Sequence, residues 1–305
     1  MYVETEHIFK DISVKNKIKD LVDFSFRRTN QYKKYIDILS QLNIDELVCF
    51  NRGIETFGFY NLLVERNPDL MVSFMEEGIL SYEMDLAVGR VVNISNSVRK
   101  KIHRKVLWDN ISSFYCYYPS LYKAALTPVQ VPRISSNSET VNILREVFCP
   151  DISRYTQRYI FFTSVLDFEG GEPIGEYELV SKVAELVGKD NLLVKTHPRD
   201  KRTIYIDNGF NVDKNSAIPW EVIQLSGDFS DKVFLTVNSG SVLAGSFMSE
   251  KPVRTFYMYK LCNISNNPCC QKNAADVEAL LNNQDMKDIL SEVSIADRIE
   301  DIIVG

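Results

Sequence analysis

Apolar positions in the second half of the chain fall in short, nearly continuous runs, separated by stretches of helical period. Tyr159–Leu166 (YIFFTSVL), Asn191–Thr196, Lys232–Val237 (KVFLTV) and Val253–Met258 predict buried strands, and Arg202–Ile206 a further one. Between them Tyr177–Val187, stopped by Gly188, Pro219–Leu225, with proline in its first turn, and Ser239–Met248 predict helices. From Ala274 onward the pattern reads as two more helices. Buried strands alternating with helices indicate a parallel sheet covered on both faces, an α/β fold. The first half is less regular. Asn16–Arg27 and Gln31–Leu42 have helical apolar spacing; the strand Glu46–Phe50, a loop at Asn51, the helix Phe57–Glu65 and the strand Asp69–Phe74 then make a βαβ unit. Past Tyr82 the pattern loosens, through an aromatic-rich stretch at Asn110–Tyr118 and a turn at Tyr118-Pro119. A helical stretch over Glu139–Asp151 reaches Cys149-Pro150, where the domain boundary is placed: residues 1–150 and 151–305.

A length of 305 residues suits that division, since domains run to roughly 100–200 residues. No apolar run approaches the ~20 residues needed to span a bilayer, and the start, MYVETEHIFKD, lacks the basic and apolar segments of a secretory signal. The six cysteines form no CxxC pair and read as reduced thiols of a cytoplasmic protein; the vicinal pair Cys269-Cys270 is weak evidence for redox or metal chemistry. A net charge of −6 argues against nucleic acid as partner. One basic run, Val98–Lys105 (VRKKIHRK), stands apart. Such a run is either a solvated face or a patch for anionic lipid head groups or an acidic acceptor.

Candidate chemistry gathers at predicted strand ends. Leu192–Val194 runs straight into Lys195, Thr196, His197 and Pro198. Proline stiffens its own φ and extends the residue before it, so His197 is presented from a rigid backbone at the edge where α/β sheets bind ligands. Val237–Ser246 (VNSGSVLAGS) follows another strand and opens a helix. Unpaired N–H groups there, with Ser239, Gly240 and Ser241, make an anion site; a simple N-cap explains only one of the serines. Missing are a Walker motif and a GxGxxG, against a nucleoside triphosphatase or a standard dehydrogenase.

Three acidic segments remain. Glu76-Glu77-Gly78 follows the strand Asp69–Phe74 and reads as a general base, a holder of an acceptor hydroxyl, or a solvated loop. Leu166–Glu176 (LDFEGGEPIGE) carries Asp167, Glu169 and Glu172 among glycines: a flexible loop with a catalytic carboxylate, or a solvated βα loop whose last acid caps the next helix. Ala217–Leu225 puts Glu221 in a first helical turn, where it serves either two ribose hydroxyls or the helix dipole.

Taken together, Met75–Tyr82 (MEEGILSY), Val194–Asp200 (VKTHPRD), Ile218–Val222 (IPWEV) and the Ser239-Gly240-Ser241 turn, in that order, resemble glycosyltransferase family 52, the bacterial lipooligosaccharide sialyltransferases. The likeness extends from about Val48 to Tyr257. It implies a GT-B architecture, two Rossmann-like domains facing across a cleft; this chain departs from it in opening on MYVETEHIF, a poor strand, so the N-terminal sheet is expected to be reduced, or completed by another subunit in a homodimer. It also implies inverting, metal-independent transfer of sialic acid from CMP-sialic acid to a galactose-ended surface glycan at the inner membrane face. No cofactor and no DxD-held cation are expected. By the resemblance His197 meets the CMP phosphate, with Lys195, Thr196 and Pro198 around it. Ser239, Gly240 and Ser241 hold the same phosphate, and Glu221 binds the ribose. The base is Glu169, then Glu172, then Asp167, while Glu76, Glu77 and Gly78 support the acceptor. Two alternatives stay open: a transferase using CMP-Kdo or a UDP-hexose, and a non-catalytic glycan- or nucleotide-binding subunit of a capsule assembly complex.

Overall fold

A computed structural model describes residues 41–50, 60, 63–78, 81–82, 90–102, 104–106, 111–213, 218–249 and 251–303. The helices expected over Asn16–Arg27 and Gln31–Leu42 lie outside these, apart from a turn at 41–42. The chain divides into two compact units, Met1–Val131 and Pro132–Gly305.

In the first unit the described strands are β1 (Glu46–Cys49), β2 (Met71–Met75), β3 (Ile111–Cys116) and β4 (Thr127–Gln130). They pair in parallel in the order β1-β2-β3-β4. Pro128, which has no N–H to give, is confined to the outer strand of that order, where a ladder tolerates it. Val72 and Phe74 are buried on β2, and Phe114 of β3 stacks on Tyr122 at 4.3 Å between ring centres. Of the helix expected over Phe57–Glu65, Tyr60, Leu63 and Val64 are helical and buried. Helix α1, Arg90–Lys101, follows. The basic run that ends it is divided. Arg99 is buried, with its Nε donating to the Lys105 carbonyl at 2.9 Å. Arg104 pairs with Glu65, while Lys100, Lys101 and Lys105 are exposed.

The second unit contains β5 (Tyr159–Phe162), β6 (Leu192–Lys195), β7 (Asn211–Val212), β8 (Val233–Thr236), β9 (Arg254–Tyr257) and β10 (Val293–Ile295). All pairs are parallel, in the order β7-β6-β5-β8-β9-β10. Counted within the unit this is 3-2-1-4-5-6, the doubly wound Rossmann order. Every residue of β5, β6 and β8 is buried, as parallel strands covered on both faces require. The helices are α2 (Glu139–Phe148), α3 (Glu176–Val187), α4 (Trp220–Ser226), α5 (Ala244–Met248) and α6 (Pro268–Leu281).

Three expectations are corrected. Ile204–Asp207 is a helical turn, not a strand: its alternation of isoleucine and tyrosine imitates a strand, but Tyr205 is buried against Tyr177 and Phe210. The C-terminal region holds one long helix, α6, and then strand β10 rather than two helices. The helix expected over Ser239–Met248 begins as a tighter 3-10 turn at Gly240–Leu243 before α5.

Candidate functional site

The strand order of the second unit reverses between β5 and β8, and a doubly wound sheet binds ligands outside the carboxyl ends of the strands at such a point. The loops that leave β5, β6 and β8 are those carrying the acidic segment, His197 and the Ser-Gly-Ser run.

After β6 the chain turns over His197-Pro198-Arg199-Asp200, closed by a bond from the Asp200 N–H to the His197 carbonyl at 2.9 Å. Pro198 occupies the position of a β-turn that its fixed φ favours. The His197 N–H donates to Thr163 Oγ1 at 3.0 Å, and its Nδ1 accepts the Arg199 N–H at 3.2 Å. An Nδ1 that accepts carries no proton, so Nε2 carries it. Partial burial, then the Arg199 guanidinium, hold the imidazole below its ordinary pKa against the pull of Glu169 and Asp200. At neutral pH His197 is therefore an uncharged Nε2–H donor.

Lys195 does not accompany it. It is buried, 3.4 Å from Asp213, which also accepts from Tyr155 Oη at 3.1 Å. The cation of this turn is Arg199, which the sequence reading passed over; it is exposed and 2.7 Å from Glu169. Thr196 is half-buried and Pro198 exposed.

The acidic loop between β5 and α3 is tied down rather than flexible. Asp167 Oδ1 accepts the N–H groups of Ile174, Gly175 and Glu176 at 3.1, 3.1 and 3.2 Å. Asp167, not the last acid, thus caps α3. Glu176 turns inward instead. Fully buried, it receives the Ser164 N–H on both oxygens at 3.0 and 2.9 Å. Burial pushes its pKa up to about 8, against the bonds from Ser164. Glu172 accepts from the Asn266 amide at 2.8 Å. Buried Asn267 donates to the carbonyls of Leu166 and Glu172 at 3.1 and 3.0 Å and caps α6 through the Cys270 N–H at 3.0 Å. A Cβ on Gly170 would lie 2.7 Å from that of Cys269, and one on Gly171 2.7 Å from the Asn266 carbonyl. The glycines thus allow close packing against the start of α6. The vicinal cysteines belong to this junction; all six cysteines are free thiols. Asn267-Pro268 was legible as a cap followed by proline at the first helical position.

At the third loop the Ser239 hydroxyl makes no capping bond, so the N-cap reading fails. The Ser239 N–H donates to Thr236 Oγ1 at 2.8 Å. A Cβ on Gly240 would meet nothing within 4 Å, which leaves open space over that backbone. In α4, Trp220 is buried against Phe162, Phe229 and Phe234 at 4.7, 5.3 and 5.4 Å between ring centres, and half-buried Glu221 is its neighbour in the first turn. The tryptophan anchors the short helix that presents the acid.

In the first unit Glu76 stands at the carboxyl end of β2. Its Oε2 accepts the Tyr82 hydroxyl and the Tyr117 N–H, the latter at 2.8 Å. Burial raises its pKa despite both bonds. Glu77 and Gly78 are exposed; the Glu77 N–H donates to Ser81 Oγ at 3.2 Å.

No curated protein matches the sequence. Among solved structures, the Staphylococcus aureus MnaA–UDP complex aligns over 93% of this chain and 77% of its own, with 12% identity and a TM-score of 0.41. The glycotransferase of kitacinnamycin aligns over 93% and 71%, with 9% identity and a TM-score of 0.39. The α/β class rests on the two parallel sheets themselves. A family model, alpha-2,8-polysialyltransferase, matches residues 10–223. That span takes in Glu76-Glu77-Gly78, His197-Pro198 and Trp220-Glu221; it does not show the assignment to family 52. The chain is a glycosyltransferase and belongs to the alpha-2,8-polysialyltransferase family.

Proposed function

We propose that this chain is an inverting, metal-independent sialyltransferase of GT-B type that takes sialic acid from CMP-sialic acid. The family description favours an acceptor ending in sialic acid, extended through an α-2,8 bond, over a galactose-ended one. The observation that carries the reading is the neutral His197, its Nδ1 engaged by the Arg199 N–H, at the ligand-binding edge of a Rossmann sheet. As the bond between the anomeric carbon and the phosphate oxygen breaks, charge grows on that oxygen. The Nε2–H of His197, the Arg199 guanidinium and the Ser239-Gly240-Ser241 turn stabilise it, and Glu221 binds the ribose.

The acceptor hydroxyl must lose its proton to a base. Asp167 is engaged by three backbone N–H groups and Glu172 by Asn266, whereas Glu169 holds Arg199 through Oε2 alone. We assign the base to Glu169, through Oε1, which has no hydrogen bond among the described residues. Glu76, whose pKa burial raises, supports the acceptor. Glu77 and Gly78 shape its turn.

We place the reaction in the cytoplasm at the inner membrane face, with a homodimer as the working unit. No helix of the described residues is long and apolar enough to cross a membrane. Helix α1 and the turn that follows it instead expose Ile94, Val98 and Ile102 by 59%, 54% and 55%, four residues apart on one face beside Lys101. That combination suits an anionic lipid surface.

Incubation of the chain with CMP-sialic acid and a short α-2,8-linked sialyl acceptor tests the function. Elongation matched by CMP release is expected, and Glu169→Gln should remove it while CMP still binds. Elongation only from UDP-hexose or CMP-Kdo moves the donor. CMP binding with neither transfer nor donor hydrolysis would make the chain a non-catalytic subunit.

A further inference from the structure

Two threonines that the sequence reading did not single out stand where the strand order reverses. Thr163 follows β5 directly and Thr236 ends β8; they are 2% and 0% exposed. The Thr163 N–H donates to the Lys195 carbonyl at 3.0 Å, continuing the β5–β6 ladder, and its Oγ1 then accepts the His197 N–H at 3.0 Å. Thr236 Oγ1 donates to the Phe162 carbonyl at 2.9 Å and accepts the Ser239 N–H at 2.8 Å. Each hydroxyl therefore extends the sheet's hydrogen bonding by one side chain into a loop, at the first residue of that loop with proposed chemistry. Both bonds are referred to the same strand, β5: Thr163 is its continuation and Phe162 its last residue. A core threonine kept only for its shape needs neither bond, because valine fills the same space.

We propose that Thr163 and Thr236 are positioning residues that set the His197 turn and the Ser239–Ser241 turn at fixed heights above β5, and so fix the two halves of the leaving-group site relative to each other. The proposal rests on the reading that the donor phosphate binds at this edge. Neither threonine is asked to touch the donor; Thr163 acts on the imidazole through the His197 backbone N–H, and Thr236 acts through the backbone beside Gly240. The groups that face the imidazole and set its titration are Arg199, Glu169, Asp200 and Lys195.

The test uses the intact chain. In the wild-type protein the amide hydrogens of His197 and Ser239 should exchange as slowly as those of β6 and β8, although both lie beyond the strands. Exchange at loop rates overturns the proposal without any variant. Thr163→Val should lower kcat about 10- to 100-fold, the scale expected when a catalytic group moves by about 1 Å. It should also raise the NMR titration midpoint of His197 toward about 6.5 as the turn leaves its half-buried place. With only three histidines in the chain, His197→Ala identifies the resonance. Thr163→Ser should restore both readings. Thr236→Val should weaken CMP binding about tenfold, reverted by Thr236→Ser, with the His197 titration unchanged. Wild-type kcat and titration in Thr163→Val, or wild-type CMP affinity in Thr236→Val, overturns the assignment of that residue. A wild-type chain that binds no CMP defeats the donor reading instead; exchange and titration then judge the threonines alone.

Discussion

Two titratable side chains at the carboxyl edge of the second sheet are displaced in opposite senses, and each has a consequence that can be measured. His197 is held below its ordinary pKa by burial and by Arg199. In the proposed role of neutral Nε2–H donor it works on the alkaline side of its own titration. Protonating Nδ1 would break its bond with the Arg199 N–H. Transfer should therefore be flat from about pH 6.5 to 8 and fall as the solution is made more acidic. A rate that declines above pH 6.5 would require the imidazolium and refute the neutral donor. His197→Ala should lower kcat by about 10²-fold or more with little change in melting temperature. Glu176 is displaced upward, to about 8. Between its unfolded value of about 4.5 and 8 the folded chain binds the extra proton, so the Glu176 contribution is full at low pH and is lost as pH rises through that window, by at most about 1.4 kcal/mol per pH unit. Glu176→Gln, which mimics the protonated group, should flatten the pH dependence of the melting temperature between 5 and 8. An unchanged slope would show that the carboxyl is not the source.

The elements differ in how far the sequence exposes them. Runs such as YIFF and VFLT read directly as buried strands because both of their faces are covered, and β5 and β8 lie where that pattern puts them. By contrast β7 has two residues, β10 has three and β4 contains Pro128. Pairing with a neighbour makes these strands, not their own propensity, so no local pattern marks them. The His-Pro turn and the Ser-Gly-Ser turn were legible for the same local reason as β6 and β8. What was not legible is who holds them: Asp213 draws Lys195 inward across 18 residues, and Asn267 ties the acidic loop from 101 residues away. The second case can be tested at the level of the element. Asn267→Ala removes both the cap of α6 and the bonds to the Leu166 and Glu172 carbonyls. It leaves the buried Leu166 carbonyl without this partner, at a cost of about 2–4 kcal/mol from the lost cap together with the unsatisfied group. The expected result is a lower denaturation midpoint together with faster proteolysis within Leu166–Glu176. A stable variant with an unchanged cleavage pattern would mean that the acidic loop does not depend on this clamp.

For the whole molecule, the transfer proposed above needs the growing negative charge on the departing phosphate met, and there are two ways to do it: a bound divalent cation, or the chain's own donors. A cation site needs carboxylates able to converge. The acids beside His197 are otherwise engaged, Asp167 by the start of α3, Glu169 by Arg199 and Asp200 by Arg202. Freeing any of them would uncap a helix or unpair a guanidinium. The donors, in contrast, already lie at one sheet edge: a neutral imidazole N–H after β6, a guanidinium in the same turn, and a serine-rich turn after β8 with open space over Gly240. Charge met by fixed donors does not depend on metal concentration. The rate of transfer should therefore be unchanged in excess chelator, and added Mg²⁺ or Mn²⁺ should raise it less than twofold. Arg199→Ala should show the other side of the same argument. With the guanidinium gone, kcat/KM should fall about 10- to 100-fold, and no divalent cation should restore it. Loss of activity in chelator that returns with added metal, or rescue of Arg199→Ala by a metal, would place the charge on a cation and not on the protein.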